Sequence, residues 1–300
     1  MSEPVGLFVT LSNIGDAVMT TPALEALHGH QPHLRFDIVA DARSAELFEP
    51  CPYRRDLHLF DKRGGVRDHL RLLRTLRRTR YECIVDLRTD GLCWLLRGRR
   101  RLGKRRPVPG RHAVLQHLDA VAPLTGTQVP PPALWIDPAR IAPARARMQA
   151  RAGERVLALG PGANWPGKIW PVERFAALVE VLADAFDRVV LLGNGADRER
   201  AGALAARLAL PAANLAGATD LGTAAAVLAA SQAFVGNDSG LGHIAAAAGI
   251  PTLAVFGPGD PDRYRPWGPS ADWIGSADRQ IASVPVAAVA QRLRALCAAG

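Results

Sequence analysis

The sequence predicts an α/β protein of two Rossmann-like domains whose parallel sheets face a central cleft. Three observations lead there. Short apolar runs of strand length alternate with helix-length segments along the 300-residue chain, the pattern of repeated βα units with right-handed crossovers. A proline-rich stretch, VPPPALWIDPARIAP at 129–143, interrupts the alternation and reads as an interdomain linker. Beyond it the alternation restarts. The expected domains are residues 1–140 and 150–280, with a C-terminal segment, 281–300, whose helix is placed to pack back on the N-terminal domain.

In the first half, GLFVTL at 6–11 is an unbroken apolar run, and a helix follows from Asp16 to His28. RFDIVAD at 35–41 and DLHLF at 56–60 supply two further strands. Residues 66–80 read as an amphipathic helix, with Leu70, Leu73 and Leu76 on one stripe and Arg67, Arg71, Arg74 and Arg78 on the opposite one. CIVDL at 83–87 is a strand, whereas RGRRRLGKRR at 97–106 is too charged to be anything but exposed. In the second half, strands fall at 156–159, 189–192, 233–235 and 252–256. Helices fall at 171–186, 197–208, 221–230, 240–248 and 284–299.

Composition narrows the class. An apolar fraction of 48% suits a globular chain, and no run approaches the roughly 18 apolar residues of a membrane span. The opening MSEPVGLFVT has no basic region ahead of an apolar core and cleavage site, so a cytoplasmic location is expected. Four cysteines without CxxC spacing indicate neither a zinc site nor a disulfide framework. Residues 1–150 carry 24 Lys and Arg against 15 Asp and Glu, while residues 151–300 carry 13 of each, so the whole excess lies in the first half. That field suits an acidic partner: a phosphorylated sugar, a membrane surface or nucleic acid. Against nucleic acid, residues 97–106 lack interleaved aromatics on which bases stack. Lys62 and Arg63, between a strand and a helix, are the candidates for holding an anionic ligand. The arginine stripe of the following helix reads as a solvated face.

Four loops stand at the carboxyl ends of predicted strands, where open α/β sheets bind ligands. The first is Ser12–Asp16, without GxGxxG spacing; Asp16 at a helix start reads as a cap or as a reactive carboxylate. The second is GPGANWPGKIWP at 160–171, whose Lys168 is either a solvated lysine or a phosphate ligand, although the GxxxxGK[ST] spacing is absent. The third, GNGADRE at 193–199, carries Asp197 and Glu199, which either hold a ribose or complement a helix dipole. The fourth, NDSGLGH at 237–243, opens an alanine-rich helix and is joined by GPGDP at 257–261. His243 lies one turn into that helix, facing a ligand or the core. Together these loops gather Lys, Ser, His and free N–H groups at one second-domain edge, with an Asp from the first domain. Such a set suits a nucleoside diphosphate leaving group and a base facing it.

At this point the chain resembles glycosyltransferase family 9, the ADP-heptose:lipopolysaccharide heptosyltransferases. The resemblance covers about residues 5–270 and rests on SNIGDAVMTTPAL, PGANWPGKIWP, GNDSGLGHIAAAAGIP and FGPGDPDRYRPWGP, in that order. It implies a GT-B fold, an acceptor mainly on the first domain and a nucleotide sugar mainly on the second. It implies that Asp16 is the general base and that Lys168 lies beside the donor phosphate and sugar. Asp238, Ser239, Gly240 and His243 match the donor motif, and Asn164 takes a loop position that often carries a hydroxyl. Asp197 or Glu199 falls where an acid contacts the ribose. Gly259 stands where the family usually has Thr, which leaves only backbone contacts there. The alanine-rich helix is then expected to lie against a diphosphate or its sugar.

The implied reaction is a single displacement with inversion, moving a heptose from an ADP-sugar to an anionic lipopolysaccharide-core or similar glycan acceptor. No Asp-x-Asp metal motif is read in the nucleotide loops, so no cofactor and no essential metal are expected. The expected partners are the nucleotide-sugar donor, an anionic glycan or glycolipid acceptor and the inner membrane surface, with no nucleic acid. Other readings are a GT-B enzyme of different donor, such as a UDP-sugar transferase or epimerase, and a noncatalytic nucleotide or nucleic-acid binder.

Overall fold

The computed structural model describes residues 4–61, 64–89 and 91–299. Lys62 and Arg63 therefore lie outside the described residues. The chain divides into two compact units, Met1–Trp135 and Ile136–Gly300. The division falls inside the proline-rich segment.

In the first unit the elements are β1 (Val5–Val9), α1 (Ile14–His30), β2 (Arg35–Ala40), β3 (Arg54–Leu59), α2 (Val66–Leu76), β4 (Arg80–Asp86), α3 (Leu92–Leu95), β5 (Arg97–Gly103) and α4 (Ala113–Thr125). The strands form one parallel sheet in the order β3-β2-β1-β4-β5. Every residue of β1 is buried, as expected for a strand with helices over both faces. On one face, Val5, Leu7, Val9, Val39 and Ile84 pack with Leu76 of α2 and with Cys93 and Leu96 at α3. On the other face α1 packs against α4.

One expectation is met and one changes here. The charged run after α3 is mostly exposed, as expected, and Arg97–Gly103 pairs with β4 as the edge strand β5. Arginines along an open edge discourage pairing with a further chain. On α2 the inward stripe is Leu72, Leu73 and Leu76, while Leu70 is exposed.

Beside the sheet core, Asp37 is buried and accepts hydrogen bonds from Arg55 Nε (2.7 Å) and Tyr81 Oη (2.8 Å). Burial alone raises its pKa, but the neighbouring His58 and the hydrogen bonds from Arg55 and Tyr81 outweigh that and hold the carboxyl below its usual range. Asp37, Asp56 and His58 are the one group among the described residues spaced to share a metal ion. The Arg55 guanidinium already supplies the cation to Asp37.

The second unit contains α5 (Ile141–Arg147), β6 (Val156–Gly160), α6 (Val172–Val181), β7 (Arg188–Leu191), α7 (Arg198–Ala205), β8 (Ala212–Asn214), α8 (Leu221–Ala229), β9 (Ala233–Asn237), α9 (Gly240–Ala247), β10 (Thr252–Phe256), α10 (Pro261–Tyr264), β11 (Ala271–Gly275) and α11 (Val286–Ala299). Its parallel sheet runs β11-β10-β9-β6-β7-β8. Order reverses between β6 and β9, so the crevice at their carboxyl ends is the topological switch point. β10, β9, β6 and β7 are consecutive neighbours, and their loops are the second, third and fourth candidate loops.

α11 belongs to the second unit, packing on α6, β10 and β11, with Val289 and Leu293 in the same core as Phe175, Leu178 and Val255. A helix with an apolar face finds its burial on the sheet that ends beside it. Leu293 is fully buried, so Leu293→Ala is expected to cost about 2–5 kcal/mol in urea denaturation. A loss below about 0.5 kcal/mol, the size of a surface substitution, contradicts this placement. Among the described residues, no helix is long and apolar enough to cross a membrane.

Candidate functional site

In the second unit the site is organised by Asn237, the last residue of β9. Its side chain is fully buried. Its Oδ1 accepts from the backbone N–H of Trp170 (3.0 Å) and its Nδ2 donates to the Gly162 carbonyl (3.3 Å). One side chain thus ties down both ends of the loop after β6. Trp170 is buried as well, its indole N–H donating to the Val284 carbonyl (3.2 Å) and its ring meeting Phe175 edge-on. Trp165, in the same loop, is exposed.

The tethered loop presents Lys168 at the end of a short 3-10 turn, Pro166–Lys168. Its Nζ lies 2.5 Å from Asp238 Oδ2, the side chains being 26% and 11% exposed respectively. Lys168 is thus not a freely solvated lysine. A charge-assisted bond between groups this far from water is strong and directional.

Ser239 follows as the N-cap of α9, with extended backbone and no side-chain capping bond. Its Oγ is buried without a partner. The first-turn N–H groups of a helix have no intrahelical acceptor and sit at the positive end of its dipole. An unpartnered hydroxyl at an uncapped helix start, following the residue that pairs with Lys168, suits an anion chemically. Gly240 opens the helix; His243, one turn on, is buried.

The alanines of α9 pack within the second unit. Ile244, Ala245 and Ala246 are buried, where α9 packs on β9, β10 and α8. Small side chains there serve close packing.

Gly259 gains a reason. A Cβ there would stand 2.8 Å from Asp238 Oδ2 and 3.2 Å from the Phe256 ring. Glycine leaves that space to the Asp238 carboxylate. Arg279, which sequence reasoning missed, fastens the same loop by donating to the Pro258 (2.8 Å) and Gly259 (3.0 Å) carbonyls.

On the β7 loop, Asp197 is buried and closes a capping box with Asn194: its Oδ2 accepts from the Asn194 N–H (3.0 Å), and Arg200 lies 3.2 Å from its Oδ1. A Cβ on Gly162 would come within 2.2 Å of the Asp197 carboxylate, so the two loops interlock at that glycine. Asp197 therefore spends its oxygens on the loops, while Glu199, in the first turn of α7, is exposed. Asn164 is also exposed. Asp260 and Asp262 form an Asp-x-Asp that the sequence reading passed over; both are exposed, with Asp260 at the N-cap of α10.

In the first unit the order reverses between β1 and β4, and the loop after β1 holds Asp16. The N-cap of α1 is Asn13, not Asp16. Asp16 stands three residues in, and its Oδ2 accepts from Asn13 Nδ2 (2.9 Å). Asn13 Oδ1 in turn accepts from Arg43 (3.3 Å). Arg43 also binds Asp41 (2.9 Å), as does the buried Arg88 (3.0 Å). The hydrogen bond from Arg43 is the largest influence holding the Asp41 carboxyl below its usual range. Arg43 and Arg88 had no signal in local sequence; they reach this edge from the ends of other strands.

The profile of glycosyltransferase family 9 (heptosyltransferase) matches residues 95–287. Lipopolysaccharide heptosyltransferase 1 of Pseudomonas aeruginosa is 30% identical, over 90% of this chain and 83% of that protein. Among solved structures, Escherichia coli ADP-heptose lps heptosyltransferase II superposes with a TM-score of 0.82 at 23% identity, over 99% of both chains. Escherichia coli heptosyltransferase WaaC with ADP superposes at 0.78, also 23% identical, over 97% of this chain and 99% of that one. These neighbours carry the GT-B fold.

Proposed function

The chain belongs to glycosyltransferase family 9, and from that premise we propose that it transfers a heptose from ADP-heptose to an anionic lipopolysaccharide-core acceptor. The observation that carries the reading is the Lys168–Asp238 pair beside the unpartnered Ser239 hydroxyl at the uncapped start of α9. That corner supplies a cation, a hydroxyl and backbone N–H groups to one diphosphate.

In the proposed reaction the acceptor hydroxyl oxygen attacks the anomeric carbon, and the bond from that carbon to the diphosphate oxygen breaks with inversion. Asp16 takes the hydroxyl proton. Lys168 and the α9 N–H groups stabilise the charge that develops on the departing ADP. Asp238 positions Lys168, and Asn237 positions the loop that bears it. Glu199 is better placed than Asp197 for a ribose, because its carboxylate is not committed. Asn164 and His243 complete the donor set, His243 from beneath the helix start. The reaction as proposed runs without a divalent metal.

Calorimetry with ADP, GDP and UDP tests the donor. ADP should bind at least about tenfold more tightly, a difference of roughly 1.4 kcal/mol, and transfer should survive EDTA. Preference for UDP favours a different nucleotide sugar, and lost activity restored only by added metal removes the metal-free step.

For the acceptor we propose Lys62 and Arg63 as anion ligands, with Arg43 beside Asn13 as a third. Between Arg54 and Arg111 there are 19 Lys and Arg against 6 Asp and Glu. Neutralising Lys62 and Arg63 together should raise the acceptor KM several-fold and leave donor affinity unchanged. High salt should shrink the difference, since the screening length falls to about 3 Å at 1 M. A KM indifferent to both changes points to a neutral glycan. An anionic glycolipid acceptor further places the working enzyme at the cytoplasmic face of the inner membrane.

A further inference from the structure

The outward surface of the α2–α3 layer in the first unit is apolar and basic at once. On α2 and in the two residues that follow it, Val66, Arg67, Leu70, Arg71, Arg74, Arg77 and Arg78 are all exposed. At 100° per residue they occupy an arc of about 140°, opposite Leu72, Leu73 and Leu76. Val66 is 73% exposed, a poor position for a valine on a helix that only has to dissolve. Next to it in the same layer, α3 buries Cys93 in the shared core and turns Trp94 outward, 72% exposed, with Leu95. Arg101 donates to the Cys93 (3.1 Å) and Leu96 (2.9 Å) carbonyls, fixing α3 against β5.

Ten large hydrophobic side chains are exposed among the described residues, and five of them, Leu59, Val66, Leu70, Trp94 and Leu95, come from this β3–α3 stretch. Val66, Leu70, Trp94 and Leu95 belong to the α2–α3 layer, and apolar exposure gathered on one layer differs from singly scattered exposure. Among the described residues no ion pair joins the α2 arginines to a carboxylate. An aqueous protein surface calls for the arginines but not for the tryptophan, valine and leucines between them. A nucleic acid calls for the same cations without an exposed Val66, Leu70 and Leu95. An anionic bilayer calls for both. Apolar side chains and an indole enter the headgroup boundary, while guanidinium groups meet lipid phosphates.

We propose that the outer face of α2 and α3 docks this chain on an anionic lipid bilayer, with Trp94 and Leu95 entering the interface and Arg67, Arg71 and Arg74 binding its phosphates. This deepens the membrane placement of the proposed function and rests on it only for biological sense, because docking needs no sugar transfer.

The test is sedimentation of the full chain with vesicles, either pure phosphatidylcholine or equal parts phosphatidylcholine and phosphatidylglycerol. Binding should require phosphatidylglycerol and weaken as salt rises. Trp94→Ser with Leu95→Ser should lower partitioning at least about tenfold. Arg67→Gln, Arg71→Gln and Arg74→Gln together should lower it about a hundredfold, each basic residue contributing roughly fivefold. Both variants should keep wild-type ADP affinity and circular dichroism, which excludes misfolding as the cause. Three results overturn the inference: equal binding to both vesicles, wild-type binding by either variant, or no vesicle binding while the chain self-associates or retains duplex DNA through this face. Vesicle docking in a chain that transfers no heptose sinks the function and leaves this surface assigned.

Discussion

Asp16→Ala should lower kcat for heptose transfer by about 10²–10⁴-fold, the usual loss on removing a general base, while ADP binds as before. The structure makes that result interpretable. Asn13, not Asp16, is the N-cap of α1, so alanine at 16 removes a favourable charge in the first helical turn, about 0.3–1 kcal/mol, and one exposed hydrogen bond from Asn13. A loss that small leaves the unit folded, since α1 buries ten residues from Ala17 to Leu27. Asp16→Asn, which keeps the contact partner for Asn13 but cannot take a proton, should be nearly as inactive as alanine. Asn13→Ala should be milder, because it loosens the carboxylate without removing it. Turnover of Asp16→Asn within about threefold of wild type would reduce Asp16 to a helix-dipole residue, since a lost base costs at least about a hundredfold.

Much of the architecture is legible because strands buried on both faces are continuous apolar runs. Val156–Gly160, Arg188–Leu191 and Thr252–Phe256 are buried throughout, and their sequences leave few other conformations with comparable burial. β5 fails that test for a physical reason. An edge strand is paired on one side only, so RGRRRLG can be a strand through backbone bonds to β4 while its side chains stay charged and mostly exposed. The destination of α11 is illegible for a different reason. An amphipathic helix announces that it has an apolar face but not which surface covers it.

The site divides in the same way. Loops at strand ends are local features, and the glycines, Lys168 and the NDSG start stand out in the sequence. The bonds between them are not local. Lys168 meets Asp238 across 70 positions of sequence, and Asn237 reaches back 67 to Trp170 and 75 to Gly162. Asp197 shows the converse hazard. It has the residue type and position of a ribose ligand, yet its oxygens close a capping box under Gly162. Gly259 is informative only once the carboxylate beside it is seen.

Lys168→Ala should lower kcat/KM by about 10²–10³-fold, or roughly 2.7–4 kcal/mol of transition-state stabilisation, and weaken ADP binding as well. Two effects add in that variant. The diphosphate loses its cation, and Asp238, only 11% exposed and 2.5 Å from the missing ammonium, is left as an unpaired carboxylate facing an anion. Like charges so placed oppose binding. The second effect can be removed separately. Lys168→Ala with Asp238→Asn should bind ADP more tightly than Lys168→Ala alone, although the second substitution removes a charged residue from the same site. Asp238→Asn by itself should keep most of the ADP affinity, since the lysine remains, and lose more in kcat, since nothing aims it. The signature of the pair is this sign reversal: Asp238→Asn harms catalysis when Lys168 is present and relieves binding when it is absent. Additive losses across the four proteins would mean that the two side chains act independently, and Asp238 would no longer be the residue that positions Lys168.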